Sequence, residues 1–227
     1  MNEKVTRAAR LAIILAGIFV ISLAIRSVVL KFVTPTPVET AFPEPKINPI
    51  EVADKAVGNR LDRSYVFTDQ DGNEFDLGQW YDKPLIISYI FTNCPQICPA
   101  ITTSLSRIVR DNKERLGVDF RVVSVGFDYE NDTPEVMREY GASFTDSFEN
   151  WKFVTGPPET VRALARRLGI IYRPDGNGSW EHTVGVTIVA PGGYVLTPVF
   201  GATFSTNQIM GSIDRALAEA EQAGGKR

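Results

Sequence analysis

Histidine, cysteine and methionine are the scarce residues here. The 227-residue chain has one histidine (His182), two cysteines (Cys94 and Cys98) and three methionines (Met1, Met137 and Met210). A single imidazole excludes a blue-copper site, which takes two His with a Cys, and excludes a binuclear thiolate-copper centre. A four-ligand zinc site would need a carboxylate as its fourth donor. Covalent haem is excluded because Pro99, not His, follows Cys98. No Gly-rich phosphate loop or G-x-G-x-x-G occurs, so nucleotide chemistry has no motif to rest on. Two cysteines cannot supply a disulfide framework in place of a core. A basic surplus is also missing: the net charge of −3 argues against nucleic acid as a partner. With 44% apolar and 22% charged residues, the chain is neither wholly disordered nor polytopic in a membrane.

One long apolar run is present. Residues 11–25 (LAIILAGIFVISLAI) carry no charge, with Lys4, Arg7 and Arg10 before them and Arg26 and Lys31 after. Fifteen residues fall short of the ~20 of a full span. Snorkelling of Arg26 and Lys31 would extend the stretch through Val33. Two readings of residues 1–33 stand: a retained N-terminal transmembrane anchor, or a cleaved secretory signal. Either sends the remainder out of the cytoplasm. Residues 34–52, rich in proline, read as an extended spacer. A globular domain over 53–222 and a short tail, 223–227, complete the chain. Residues 1–31 hold five basic and one acidic residue, so the portion after them shifts from −3 to −7.

The domain alternates strand and helix patterns. Ser64–Thr68 and Glu74–Leu77 flank the Asp71-Gly72 turn of a hairpin. Pro84–Phe91 (PLIISYIF) and Phe120–Phe127 (FRVVSVGF) are apolar runs of buried-strand length. Ile101, Leu105, Ile108 and Val109 mark one face of a helix between them. Thr133-Pro134 and Pro158 start two further helices, the second stopped by Gly169. Thr183–Ala190 and Tyr194–Phe200 form a hairpin around Pro191-Gly192-Gly193, and Ile209, Met210, Ile213 and Leu217 mark a last helix. The whole reads as an α/β layered domain.

Cys94-Pro-Gln-Ile-Cys98-Pro99 lies where a buried strand gives way to a helix, the crevice in which α/β sheets bind ligands. A helix N-terminus there stabilises thiolate over thiol. Spacing of four puts both sulfurs on one side of a helical turn. A structural disulfide is the plain alternative for an exported pair, though a bridge closing so short a loop constrains the unfolded chain little. His182 follows Trp180-Glu181 and opens the apolar run TVGVTIVA, 84 residues after Cys98. Trp180 reads either as a cover on that loop or as an exposed aromatic. Two thiolates with one imidazole form a soft donor set suited to Cu(I), and to Cu(II) with an added ligand.

TNCPQICP after an apolar strand, FDYENDTPEVMREY about thirty residues on, and His182 before an apolar strand and PGG together resemble the SCO/SenC family. The resemblance covers roughly residues 55–220. It implies a thioredoxin-like fold, a central mixed β-sheet flanked by helices, behind an N-terminal membrane-anchor helix. It implies a copper protein that helps assemble the CuA centre of cytochrome c oxidase. The metal ligands are then Cys94, Cys98 and His182, holding one copper, Cu(I) or Cu(II), per domain. Asp128 and Asp132 match the family's acidic D-x-x-x-D-T-P segment, near the metal or facing a partner; a solvated turn leading into a helix is the simpler reading. Gln96 departs from the family, where Asp is usual, and removes one negative charge beside the metal. The expected partners are the oxidase subunit carrying CuA or another copper acceptor, and the membrane. The expected compartment is a periplasm, or a mitochondrial intermembrane space in a eukaryote.

Enzymatic alternatives rest on the same pair. In thiol–disulfide exchange with partner thiols, Cys94 would attack and Cys98 resolve. In a thiol peroxidase, Cys94 would pass through sulfenic acid. A non-catalytic assembly factor or redox sensor is the third class. Exchange needs only the two cysteines, whereas copper also needs His182.

Overall fold

The computed structural model describes residues 48–61, 65–176 and 180–224. The apolar run at 11–25, and the anchor or signal read from it, lie outside the described residues, as does the spacer up to residue 47. Among the described residues no helix is long and apolar enough to cross a membrane.

The chain enters the domain on helix α1 (Pro49–Ala56), which takes up part of the stretch read above as spacer; the Asn48 side chain caps it by accepting from the Ile50 N–H. The hairpin β1 (Val66–Asp69) and β2 (Glu74–Asp76) follows, then β3 (Leu85–Ile90), α2 (Ile97–Asp111), β4 (Arg121–Gly126), α3 (Pro134–Ala142), β5 (Trp151–Thr155) and α4 (Pro158–Leu168). A two-stranded ribbon, β6 (Tyr172–Pro174) with β7 (Trp180–His182), precedes β8 (Gly185–Ala190), β9 (Tyr194–Phe200) and α5 (Thr206–Gly224).

Seven strands form one mixed sheet in the order β2-β1-β5-β4-β3-β8-β9. Strands β3, β4 and β5 are parallel, as their helical crossovers require. The outer pairs are antiparallel. Every residue of β3 and β8 is buried, which explains why both read as unbroken apolar runs. Three signals of helix grammar hold at atomic level. Thr133 caps α3 by accepting from the Val136 N–H, and Pro158 stands in the first turn of α4. Gly169 ends α4 in the left-handed region at φ 69°, where a Cβ would stand 2.5 Å from the Ala53 Cα. α1 therefore packs against the end of α4 only because that position has no side chain.

The topology positions the site. β3 and β4 run parallel, so the loops leaving them emerge on the same edge; the Phe127 N–H donates to the Ile90 carbonyl there. β8 lies antiparallel on the other side of β3, with Val186 opposite Ser88. A strand that runs backwards begins where its neighbour ends. The segment leading into β8 thus arrives beside the segment leaving β3.

Candidate functional site

The cysteines sit on the turn between β3 and α2. Neither forms a disulfide; Cys98 is wholly buried and Cys94 nearly so. Gln96 occupies the N-cap position of α2, yet its side chain makes no capping hydrogen bond. The Cys94 sulfur does that work, accepting from the Cys98 N–H at 3.4 Å. The Cys94 sulfur thus sits at the N-terminal, positive end of a fifteen-residue helix. Cys98 lies in the opposite environment. Burial pushes its thiol well above the ordinary range, and neighbouring Cys94 and Asp132 push the same way, against a backbone hydrogen bond from Phe91.

His182 comes from the ribbon. Its place in the sequence predicts that it opens the buried run TVGVTIVA; instead it closes β7, opposite Tyr172, and β8 begins only at Gly185. Gly185 has φ 155°, and a Cβ there would stand 2.4 Å from the Val199 carbonyl oxygen. That glycine lets the chain turn from the ribbon into the sheet. Aromatic rings hold the ribbon down: Tyr172 stacks on Phe127 at 4.8 Å, and Trp180 meets Phe127 edge-on at 5.6 Å. Phe127 and Phe91 lie 5.2 and 5.9 Å from the His182 ring.

This scaffold brings His182 Nε2 to 3.7 Å from the Cys98 sulfur. Its Nδ1 lies 2.9 Å from the Thr183 carbonyl oxygen. A carbonyl only accepts, so Nδ1 carries the proton, and in the neutral ring Nε2 is the bare nitrogen. Burial lowers the His182 pKa below 6.5, opposed by the Thr183 bond. The ring therefore presents a free lone pair to the Cys98 sulfur near neutral pH. Cys94, Gln96, Ile97, Trp180 and His182 line a cavity of about 250 Å³ beside the pair. Trp180 is half-buried and forms one wall, so it covers the site. Among the described residues no three His, Cys, Asp or Glu side chains are close enough together to hold a metal ion without adjustment. Cys98 and His182 face each other directly; Cys94 reaches them through the backbone of α2.

Asp128 and Asp132 do not lie on a solvated turn: both are buried. Asp132 Oδ1 accepts from the Thr92 N–H at 2.9 Å and the Thr92 hydroxyl at 2.7 Å, while Oδ2 accepts from the Asp128 N–H at 3.0 Å. One carboxylate thus ties the exit of β3, two residues before Cys94, to the exit of β4. Burial raises its pKa, against the pull of those hydrogen bonds. Gly126 makes room for it; a Cβ there would meet the Asp132 Cβ at 2.9 Å. Asp128 accepts from the Asn131 side chain at 2.9 Å and closes the loop on itself. The sequence did not point to Thr92, Phe127 or Tyr172; two strands ending in Phe were the available signal. Thr102 and Tyr140 were missed as well. The Thr102 hydroxyl donates to the Cys98 carbonyl at 2.8 Å and lies 2.9 Å from the Tyr140 hydroxyl, fixing the first turn of α2.

Comparison with known proteins agrees with this architecture. The family model described as SCO1/SenC matches residues 53–218. The SCO1 protein homologue of Bacillus subtilis is 31% identical over 58% of this chain and 69% of its own length. The mitochondrial SCO1 homologue 1 of Arabidopsis thaliana is 30% identical over 54% of this chain, which spans only 34% of that longer relative. Among solved structures, BsSco superposes with a TM-score of 0.61 at 26% identity, over 70% of this chain and 94% of its own. It is described as having a disulfide switch and as a member of the Sco family of cytochrome c oxidase assembly proteins. Arabidopsis thaliana ScoI with copper bound superposes at 0.60 and 21% identity, over 72% and 99%, and at that identity carries the fold alone.

Proposed function

The chain belongs to the SCO1/SenC family, and on that premise we propose that it is a copper metallochaperone whose ligands are Cys94, Cys98 and His182. Copper is the cargo. The chaperone passes it by ligand exchange to the thiolate and imidazole donors of an acceptor, the CuA-bearing subunit of cytochrome c oxidase. The domain works outside the cytoplasm, held to the membrane by the apolar segment at 11–25.

One observation carries this reading: a bare Nε2 stands 3.7 Å from the Cys98 sulfur, although 84 residues separate the two. An ion bonded at about 2.3 Å to sulfur and about 2.0 Å to nitrogen, with about 120° between the bonds, spans about the same distance. A shift of the exposed Pro95–Ile97 turn then brings in Cys94. The Cys98 thiol keeps its proton until a cation replaces it, so loading releases protons and weakens in acid. Asp132 serves by positioning the turn that bears Cys94. The membership of BsSco in a family of cytochrome c oxidase assembly proteins supports the choice of recipient.

Copper titration of the reduced full chain tests it. We expect one copper per chain, lost in Cys94→Ala, Cys98→Ala and His182→Ala. Undiminished binding by His182→Ala would overturn the ligand set. A second reading, thiol–disulfide exchange with Cys94 as the attacking sulfur, is favoured by the Cys98 N–H bond to the Cys94 sulfur at the start of α2. Reductase activity that survives His182→Ala would separate the two jobs.

A further inference from the structure

The other strand of the ribbon borders a second cleft, of about 240 Å³, lined by Arg162, Ala165 and Arg166 of α4 and by Ile170, Ile171 and Tyr172. Arg162 and Arg166 stand four apart, on one face of the helix. Both are exposed, and neither forms a hydrogen bond or ion pair with any described residue. Arg115, Arg121 and Arg138, by contrast, all reach a carboxylate. In a chain with more acidic than basic residues, two like charges side by side without a carboxylate between them repel mildly, and a bound anion would relieve that repulsion. The Tyr172 hydroxyl adds a polar group: it is shielded from solvent and has no hydrogen-bond partner among the described residues. Ala165 and Ile170 form an apolar floor. Guanidinium forks above apolar carbon fit a carboxylate carried on an otherwise apolar segment.

The cleft is joined to the copper ligands by the ribbon itself. Tyr172 pairs with His182 across it, and Phe127 touches both rings. A group seated against Tyr172 presses on the strand pair that presents the imidazole.

We propose that this cleft receives an acidic side chain, flanked by apolar residues, from the protein that exchanges copper with this chain. The assignment of the partner rests on the copper reading; the binding of an acidic segment does not. The test is calorimetric titration of the reduced, metal-stripped full chain with Ac-Ile-Glu-Leu-Glu-Ile-NH2, its Gln counterpart, and inorganic phosphate. We expect saturable binding of the Glu peptide, weakened at least about tenfold by Arg162→Gln/Arg166→Gln with circular dichroism unchanged. We expect a similar loss with the Gln peptide, and no competition from phosphate at equal concentration. Unchanged binding by the arginine variant, or no binding at all, would overturn the proposal. Equal binding of the Gln peptide would reduce the cleft to an apolar groove, and effective competition by phosphate would make it a small-anion site. Each of these also defeats the proposal. Metal is absent from the assay, so its result and that of the copper titration stand apart.

Discussion

Asp132→Asn isolates the contact on which the cysteine turn depends. The carboxylate accepts three hydrogen bonds, two at Oδ1 from Thr92 and one at Oδ2 from the Asp128 N–H. An amide has a single acceptor oxygen. If that oxygen stays on Thr92, the new NH2 group faces the Asp128 N–H, donor against donor, with almost no solvent access. Leaving a buried donor unpaired costs about 1–3 kcal/mol, and the neutral side chain recovers part of the desolvation that raises the Asp132 pKa. We expect a net loss of about 1–2 kcal/mol, read as a lower urea midpoint at unchanged slope. The sign of its pH dependence follows from the raised pKa. The folded state holds the Asp132 proton more tightly than the unfolded state, so this stabilisation is full below the ordinary carboxylate range and fades as pH rises through the raised value. The gap between wild type and Asp132→Asn should therefore widen on acidification from neutral pH. Copper affinity should fall with stability, because Thr92 lies two residues from Cys94. A variant as stable as wild type that nevertheless loses copper would refute the positioning role and put the charge itself at the metal.

Other consequences can be checked separately. His182 is the sole histidine, so its imidazole resonances need no assignment; in the reduced, metal-free chain they should titrate below 6.5, and a midpoint at or above that value would contradict the buried, Thr183-bonded ring. The same depression means that the fold loses stability as pH falls below about 6.5 towards the lowered value, a slope that His182→Gln should remove. Iodoacetamide should modify Cys94 well before Cys98, by more than about tenfold in peptide mass spectra, since Cys98 is completely buried and its thiol pKa is raised by that burial. Gly126→Ala should cost about 1–3 kcal/mol by overpacking against Asp132 and Met137, and denaturation at unchanged slope will measure it.

Sequence alone made the layered α/β fold legible because its central strands are buried on both faces and its helices start and stop by ordinary caps. It missed β5, where Lys152 interrupts the apolar pattern; that lysine pairs with the buried Asp69 at 2.8 Å, a contact made 83 residues away. The ribbon was also missed. Its strands have three residues each, too short for a period to show, and include Pro174; rings packed on Phe127 hold it in place. The cysteines and histidine could be picked out by their chemistry and by family resemblance. The clamp on Thr92 could not, since nothing in a D-x-x-x-D spacing says that the second carboxylate turns inward.

The backward run of β8 beside β3 has a consequence for biosynthesis. A polypeptide emerging from the ribosome has both thiols long before it has the imidazole, and the imidazole reaches the Cys98 sulfur only after the segment leading into β8 has docked beside β3. On the ligand set proposed above, metal capture would have to wait until the sheet has closed.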